Sequence, residues 1–568
     1  MKETKINKIE RLKLSLKPYD YYTERIDRLD ADDLEEADRF YLKNFGIFNH
    51  KLRPENFILR VRIPAGRLKR DTLESLMKMA VAADSRVILT TRAQIELHDL
   101  DLKRALDYSR EIERLGLTSW QTFTDNIRNI VTDPLDGIGR GCKIEVYRTV
   151  LQMQELFLKK REFTGMLPRK FNVAISGMEN DMFPFCGNDL FFALAEKEGE
   201  YGFNVYAGGK NSDIAEDLNI FCRLEDVTPL FRAVVVLYMQ KGPRGSRTKT
   251  RLFHMLQNIG VEKFRGELES IYGKGLHGRG VRLSAKAVPH EKIELKEGGY
   301  AHRYLSRFGE ISREQAEEIS DICRSYGVEE VRLGCDQNIY IPGLPESVEF
   351  RRSYRRYAGI TACAGSRYCV YSLFDTKEES SRIESGILQK NAITLGYSGC
   401  LKGCARHAFS DIGFVGIRTG LYTEGTERGI RLYLGAEYTS GKRAGRLILY
   451  AVPLRCVNSM TELLVALFER SGYGCFEEFA AEVLNLYSRE AVAFWLLLNY
   501  YRRHVAKEGG LFMLPAKRFE DEKDSIAKLM EEEAVAADEE VLQRVRAEEE
   551  FPFREAIIFL EKAAFAVR

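Results

Sequence analysis

No stretch of the chain approaches the run of about 18 apolar residues that would cross a membrane. The N-terminus, MKETKINKIERLKLSLKPYDYY, is charged throughout and has no apolar run ahead of a small-residue cleavage site. A soluble, cytoplasmic protein with no membrane partner is therefore expected. Surplus charge of one sign is also missing. The chain sets 86 Lys and Arg against 84 Asp and Glu, a net of +2, which argues against a general binder of nucleic acid or membrane surfaces. Any charge that serves function must be local. Cysteine is sparse, with eleven in 568 residues, and the number is odd. That density excludes a disulfide scaffold and favours a reducing compartment. Seven cysteines (Cys142, Cys186, Cys222, Cys323, Cys335, Cys456 and Cys475) are scattered among mostly apolar neighbours and read as small buried hydrophobes.

What is present is a repeat. Residues 57–100 read as a strand FILRVRIPAG, a helix RDTLESLMKMAVAA and a strand RVILTTRAQIELHDL. Residues 299–344 repeat that order with GYAHRYLSRFGEIS, REQAEEISDICRSYG and VEEVRLGCDQNIYIPGL, and Val87 to Ile95 matches Val331 to Ile339 in spacing. Such a duplication implies two equivalent halves meeting at an interface, where ligands tend to sit. Each copy leads into a longer α/β stretch, about 145–290 and about 356–505, so several cores and more than one domain are expected. Beyond about residue 512 the chain is acidic with helical periodicity and reads as a solvated tail.

The remaining four cysteines are grouped. ITACAGSRYCVYS holds Cys363 and Cys369 as C-x5-C, and GYSGCLKGCARHAFSDIG holds Cys400 and Cys404 as C-x3-C about thirty residues on. Thiolates are soft ligands that suit zinc or iron–sulfur clusters. The five-residue gap fits zinc knuckles poorly and is compatible with a cubane cluster. Two disulfides are the bland alternative, but nothing else in the chain implies secretion.

These motifs resemble those of the sirohaem-dependent sulfite and nitrite reductases. The likeness lies in TACAGSRYC and SGCLKGCARHAFSDIGFVG and extends over roughly residues 50–460. The resemblance implies an α/β (α+β) architecture with pseudo-two-fold symmetry, duplicated ferredoxin-like half-domains and two α/β cofactor-binding domains. The expected boundaries are a lead segment 1–50, half-domains 51–142 and 293–356, a sirohaem and substrate domain 143–292, a [4Fe–4S] and sirohaem domain 357–510 and the tail 511–568. By the same resemblance Cys363, Cys369, Cys400 and Cys404 hold a [4Fe–4S] cluster, and Cys404 also bridges to the sirohaem iron, coupling an electron store to the reaction centre. The turn departs from the family pattern at Leu401, Lys402 and Ala405, where Pro, Asn and Gly are common. Lys402 beside the cluster would add positive charge and could raise its potential, the alternative being a merely solvated lysine.

Sirohaem carries many carboxylates and the substrates are small anions, so fixed cations are required. In FILRVRIPAG, Arg60 and Arg62 alternate with apolar residues and are expected on one face of a strand. The resemblance makes Arg60 a substrate ligand, and it makes Arg62, Thr90, Arg92, Asn129 and Arg169 cofactor ligands, although Ala93 stands where the family usually has Gln. Arg128, in TDNIRNIV, and Lys170, in LPRKFNVAISG, would also hold substrate, with Asn172 returning to the face of Lys170. Sulfite reductases of the family typically carry lysine at the position of Asn172, whereas assimilatory nitrite reductases carry asparagine. Sulfite is largely a dianion near neutral pH, and a further cation favours it by roughly a few kcal/mol. Nitrite is a monoanion, which suits three cations and a neutral donor.

The resemblance thus implies six-electron reduction of nitrite to ammonium at a sirohaem, with sulfite reduction to sulfide as the alternative. Arg60, Arg128 and Lys170 would hold the substrate oxygens and relay protons. Nothing resembles a flavin or nicotinamide domain, so a separate donor, a reduced ferredoxin, is expected to dock on a monomer near Lys377, Lys402 and Arg406. Arg244, Arg247, Lys249 and Arg251, in GPRGSRTKTRL, could touch sirohaem carboxylates or the donor, or form a solvated turn. A zinc-stabilised binding protein would leave the repeat unexplained, and a sirohaem-free electron carrier has no use for an anion pocket.

Overall fold

The computed structural model describes residues 6–50, 53–286, 290–355, 359–420, 425–504 and Phe565. The acidic tail expected over 511–568 lies outside the described residues, Phe565 excepted. The chain divides into two compact units, Met1–Tyr357 with Tyr438–Lys442, and Ala358–Glu437 with Arg443–Arg568. No helix of the described residues is long and apolar enough to cross a membrane.

The first unit contains both copies of the repeat. The first copy runs through strands Arg53–Val61 and Arg67–Lys69, helix Arg70–Ala82 and strands Val87–Leu89 and Ile95–Leu100. The second runs through Tyr300–Tyr304 and Glu310–Ile311, helix Arg313–Ser325 and strands Glu330–Leu333 and Ile339–Leu344. The segment expected as one closing strand is therefore a hairpin in each copy. Thr90 N donates to Gln94 O at 2.9 Å in the first, and Gly334 N donates to Asn338 O at 2.9 Å in the second. The same turn position has left-handed backbone in both, Ala93 (φ 50°) and Gln337 (φ 67°). Gln337 Nε2 donates to Leu89 O at 3.1 Å, a side-chain bond that Ala93 cannot make.

The copies are interlocked. Arg67–Lys69 pairs antiparallel with Glu330–Leu333 of the second copy, and Glu310–Ile311 pairs antiparallel with Val87–Leu89 of the first. Each five-stranded sheet is thus completed by a very short strand from the other copy. Strands of two or three residues have no independent stability, so neither half is complete alone. The two helices bury Leu73, Leu76 and Ala80 and, at the same spacing, Ala316, Ile319 and Cys323 in one shared core. The lead segment belongs to this core as well. Its helices Pro18–Arg25 and Glu36–Leu42 supply Tyr21, Phe40, Tyr41 and Leu42, with Tyr21 and Tyr41 stacked at 4.2 Å.

Between the copies the chain forms another sheet. Ile127–Val131, Phe171–Ser176 and Leu190–Lys197 are parallel, and Glu200–Ala207 and Glu216–Cys222 follow antiparallel. Phe171–Ser176 is buried at every residue, as befits a central parallel strand. Helix Leu224–Lys241 packs in the core of this sheet.

The second unit has the same topology. Ile360–Ala362, Leu395–Ser398 and Ile412–Thr419 are parallel, Glu427–Leu434 and Arg446–Pro453 follow antiparallel, and helix Val457–Ser471 comes next. The duplication therefore extends beyond the strand, helix, strand repeat to the α/β stretches that follow it.

Candidate functional site

In the first unit, four guanidinium groups converge. Arg60 lies on Arg53–Val61 directly opposite Glu96 in the antiparallel register. Its Nε donates to Glu96 Oε1 at 2.6 Å and its Nη1 to Thr122 O at 3.2 Å, and its guanidinium stacks 3.8 Å above the Phe123 ring. Arg128 donates to the same Thr122 carbonyl at 2.6 Å and to Thr124 O at 2.8 Å. One carbonyl thus holds two guanidiniums side by side. Burial, together with the nearby Arg60, Arg92 and Arg169, pushes the Arg128 pKa well below its ordinary value. Arg92 donates to Asn188 Oδ1 at 2.9 Å and to the carbonyls of Asn129 and Val173. Thr90 shapes the turn behind it, its hydroxyl accepting from Arg92 N at 3.2 Å and Gln94 N at 3.3 Å. Asn129 Nδ2 donates to Ile63 O at 2.7 Å and Arg92 O at 3.0 Å.

Asp125 and Asp189 fix the other side. Asp125 is fully buried and accepts Lys13 Nζ at 2.7 Å and both terminal nitrogens of Arg247 at 2.6 and 2.8 Å, with Arg169 Nη1 at 3.5 Å. Asp189 receives Arg251 through Nε and Nη2 at 2.8 and 2.7 Å and also accepts the backbone N–H of Asn172 at 2.8 Å. Asn172 is buried on Phe171–Ser176, and Lys170, just before it, is half-buried.

Some expectations need correction. Arg62 is 1% exposed, and its guanidinium donates to the carbonyls of Trp120, Arg128, Gln121 and Ile127. With four carbonyls holding it, it ties the loop 120–128 to the sheet and does not reach for a carboxylate. Arg247 and Arg251 pair with Asp125 and Asp189, and Arg244 pairs with Glu10, so these three are not simply solvated, whereas Lys249 of the same segment is exposed. Lys377, expected on the surface, is 2% exposed. Glu96, Asp125, Asp189 and Lys13 were not singled out in the sequence. Only Glu96 left a signal there, because Arg60 and Arg62 on one strand alternate in step with Glu96 and His98 on another.

In the second unit, Cys363 directly follows strand Ile360–Ala362, and Cys400 lies two residues past the neighbouring parallel strand Leu395–Ser398. Gly399 N donates to Cys363 Sγ at 3.2 Å. The thiols of Cys369 and Cys400 are both pushed up, first by burial. Cys363 lies close enough to raise both, Cys369 raises Cys400, and the N–H groups of Tyr371 and Lys402 act in the opposite sense. Three of the four thiols thus sense one another, and Cys404 is exposed. No cysteine is in a disulfide among the described residues, and no group of three or more His, Cys, Asp or Glu among them converges on one metal ion. A cubane asks for something different, since each thiolate binds a separate iron and the sulfurs stand further apart than ligands of a single ion. The Lys402 ammonium lies over the Tyr371 ring.

The two sheets use opposite ends. Arg128, Arg169, Lys170 and Asn172 sit at the starts of their parallel strands, whereas Cys363 and Cys400 lie past the ends of the equivalent ones.

The residues fit an anionic macrocycle and a cluster. Beside the gathered guanidiniums, the buried Arg128 Nε has no hydrogen-bond partner among the described residues, which is costly unless an acceptor such as a carboxylate supplies one. In the second unit the thiols are soft donors already receiving N–H groups. Interlocked half-domains, an arginine cluster and grouped thiols are together what an oxidoreductase holding a haem-type group and an iron–sulfur cluster requires. The family description "Nitrite/Sulfite reductase ferredoxin-like half domain" matches residues 50–115 and 293–348, and "Nitrite and sulphite reductase 4Fe-4S domain" matches 123–275. The chain belongs to this nitrite and sulfite reductase family, whose cofactors are sirohaem and a [4Fe–4S] cluster. None of the matched segments includes the four cysteines.

The ferredoxin–nitrite reductase of Leptolyngbya laminosa is 28% identical over 79% of this chain and 94% of its own length. That of Synechococcus elongatus is 28% identical over 82% and 97%, and the chloroplastic enzyme of Spinacia oleracea 26% over 82% and 86%. Among solved structures, the Mycobacterium tuberculosis NirA protein shares the fold with a TM-score of 0.77, at 22% identity over 84% of this chain and 97% of that one.

Proposed function

We propose that this protein is a cytoplasmic, monomeric enzyme that reduces nitrite to ammonium by six electrons, drawing them from a separate reduced ferredoxin. The observation that carries this reading is the meeting of Arg60 and Arg128 on the Thr122 carbonyl, with Arg92 and Arg169 close enough to depress Arg128 and the neutral Asn172 nearby in sequence to Lys170. The names of the relatives agree with it.

When bound, sirohaem and the cluster supply the electron transfer to substrate. Arg92 and Arg169 would hold the carboxylates of the macrocycle, while Asn129, whose amide donates to Ile63 O and Arg92 O, and Thr90 set the turn that aims Arg92. Cys363, Cys369, Cys400 and Cys404 ligate the cluster, and N–H groups donated to the sulfurs raise its potential. Arg60, Arg128 and Lys170 bind the oxygens of nitrite, offset the charge that builds there, and return protons as water leaves. Arg62 keeps the loop that carries Thr122 and Phe123 against the sheet. Lys402, exposed, and Arg406, half-buried, remain as docking cations for the donor.

The test is turnover of the purified holoenzyme with reduced ferredoxin, quantifying ammonium from nitrite and sulfide from sulfite. A much higher kcat/KM on nitrite is expected, with loss of turnover in Cys404→Ser. Higher efficiency on sulfite would overturn the substrate assignment, and normal turnover of Cys404→Ser would overturn the role of that thiol.

A further inference from the structure

Arg60 is not a simple cation. Its guanidinium shares an ion pair with Glu96, directly opposite on the neighbouring strand, and two of its nitrogens approach the single oxygen Oε1. The other oxygen, Oε2, lies 2.9 Å from His98 Nε2. Glu96 is 7% exposed and His98 3%, so water screens this pair little. Burial alone would raise the Glu96 pKa, but Arg60 and His98 outweigh it and hold the carboxyl down at about 2, so it is ionised throughout the physiological range. Arg128 stands beside Arg60 on the shared carbonyl, and among the described residues its terminal nitrogens bond Thr122 O and Thr124 O rather than a carboxylate.

We infer that Glu96 is a specificity-determining counter-charge of the anion pocket: it orients Arg60 for hydrogen bonding while cancelling its net charge, so the pocket attracts a monoanion such as nitrite and gives up the extra attraction that a dianion such as sulfite would feel. This rests on the proposed roles of Arg60, Arg128 and Lys170. The physical argument is a count of charge. A ligand facing Arg60, Glu96, Arg128 and Lys170 meets two net positive charges, where the cations alone would give three. Removing Glu96's charge acts on a dianion with twice the energy it exerts on a monoanion. Its effect therefore appears in the ratio of the two affinities as well as in each. Glu96 makes no claim on the reacting atoms and acts through Arg60, so it is a positioning residue.

The experiment compares the holoenzyme with Glu96→Gln, Glu96→Asp, Arg60→Gln and the double variant Arg60→Gln/Glu96→Gln, at a pH where sulfite is a dianion. Dissociation constants of nitrite and sulfite are read from spectral titration of the oxidised enzyme, alongside kcat/KM for each. Glu96→Gln is isosteric and should shift the sulfite-to-nitrite affinity ratio about tenfold towards sulfite, whereas Glu96→Asp, which keeps the charge, should shift it far less. Should Glu96→Gln fail to load its cofactors, Arg60→Gln and the double variant carry the test. Arg60→Gln leaves Glu96 uncompensated and should bind sulfite weakly, and the double variant, with the wild-type net charge, should return to the wild-type ratio. An unchanged ratio in Glu96→Gln, equal shifts in Glu96→Gln and Glu96→Asp, or a double variant no better than Arg60→Gln would overturn the inference. Failure of the wild type to reduce nitrite would instead overturn the functional reading beneath it.

Discussion

Replacing Asp125 by Asn tests what holds the arginine cluster together. Asp125 is fully buried, and three cations converge on its carboxylate: Lys13 at 2.7 Å, Arg247 at 2.6 and 2.8 Å, and Arg169 at 3.5 Å. Lys13 is 1% exposed and pairs also with Glu10 at 2.7 Å, so it cannot turn to solvent. An amide cannot compensate three cations, and its own N–H groups would face one of them. Removing one partner of a buried ion pair costs about 3–5 kcal/mol, and that is the loss expected for Asp125→Asn at neutral pH. Urea unfolding is the assay, because it leaves ionic strength unchanged. The pH dependence gives a second check. Burial raises the Asp125 pKa, but Lys13 and Arg247 overcome this and leave it below the ordinary value. A depressed folded pKa means that the carboxylate stabilises above the unfolded value of about 3.9 and that this contribution is lost as pH falls through the folded value. The gap between wild type and variant should therefore be full near pH 7 and close under strongly acid conditions. A loss below about 1 kcal/mol at pH 7, or a gap that does not narrow in acid, would refute the assignment of Asp125 as the anchor of Arg169.

Three further outcomes are expected. Arg62→Met should lower stability by about 3 kcal/mol or more, since four carbonyls lose their donor; a fully stable variant that merely loses sirohaem would restore the cofactor-binding role. Asn172→Lys should raise the sulfite-to-nitrite ratio of kcat/KM about tenfold through the added charge, and unchanged or lowered sulfite efficiency would refute the charge argument. Gly399→Ala should cut the iron and acid-labile sulfide of the purified protein, because a Cβ there would stand 1.8 Å from Ser372 Oγ in the turn after Cys369. Full cluster content would show that this turn does not position the thiols.

The sequence alone carried the repeat, because the apolar spacing that makes Leu73, Leu76 and Ala80 one helical face recurs at Ala316, Ile319 and Cys323. It carried the grouped thiols and the arginine-bearing motifs as well, since those lie in short local patterns. It could not carry the exchange of edge strands between copies. Arg67–Lys69 and Glu310–Ile311 are too short to register as strands and gain their hydrogen bonds only from a partner more than two hundred residues away. Nor could it show that Arg62, two positions from Arg60 and expected as a cofactor ligand, is buried. Burial and four carbonyls make one a structural tie, while a facing carboxylate and a shared Thr122 carbonyl set the other in the pocket. Net charge at a site is a sum over residues brought together from distant parts of the chain, and Glu96, Asp125 and Asp189 enter that sum only once the chain is folded.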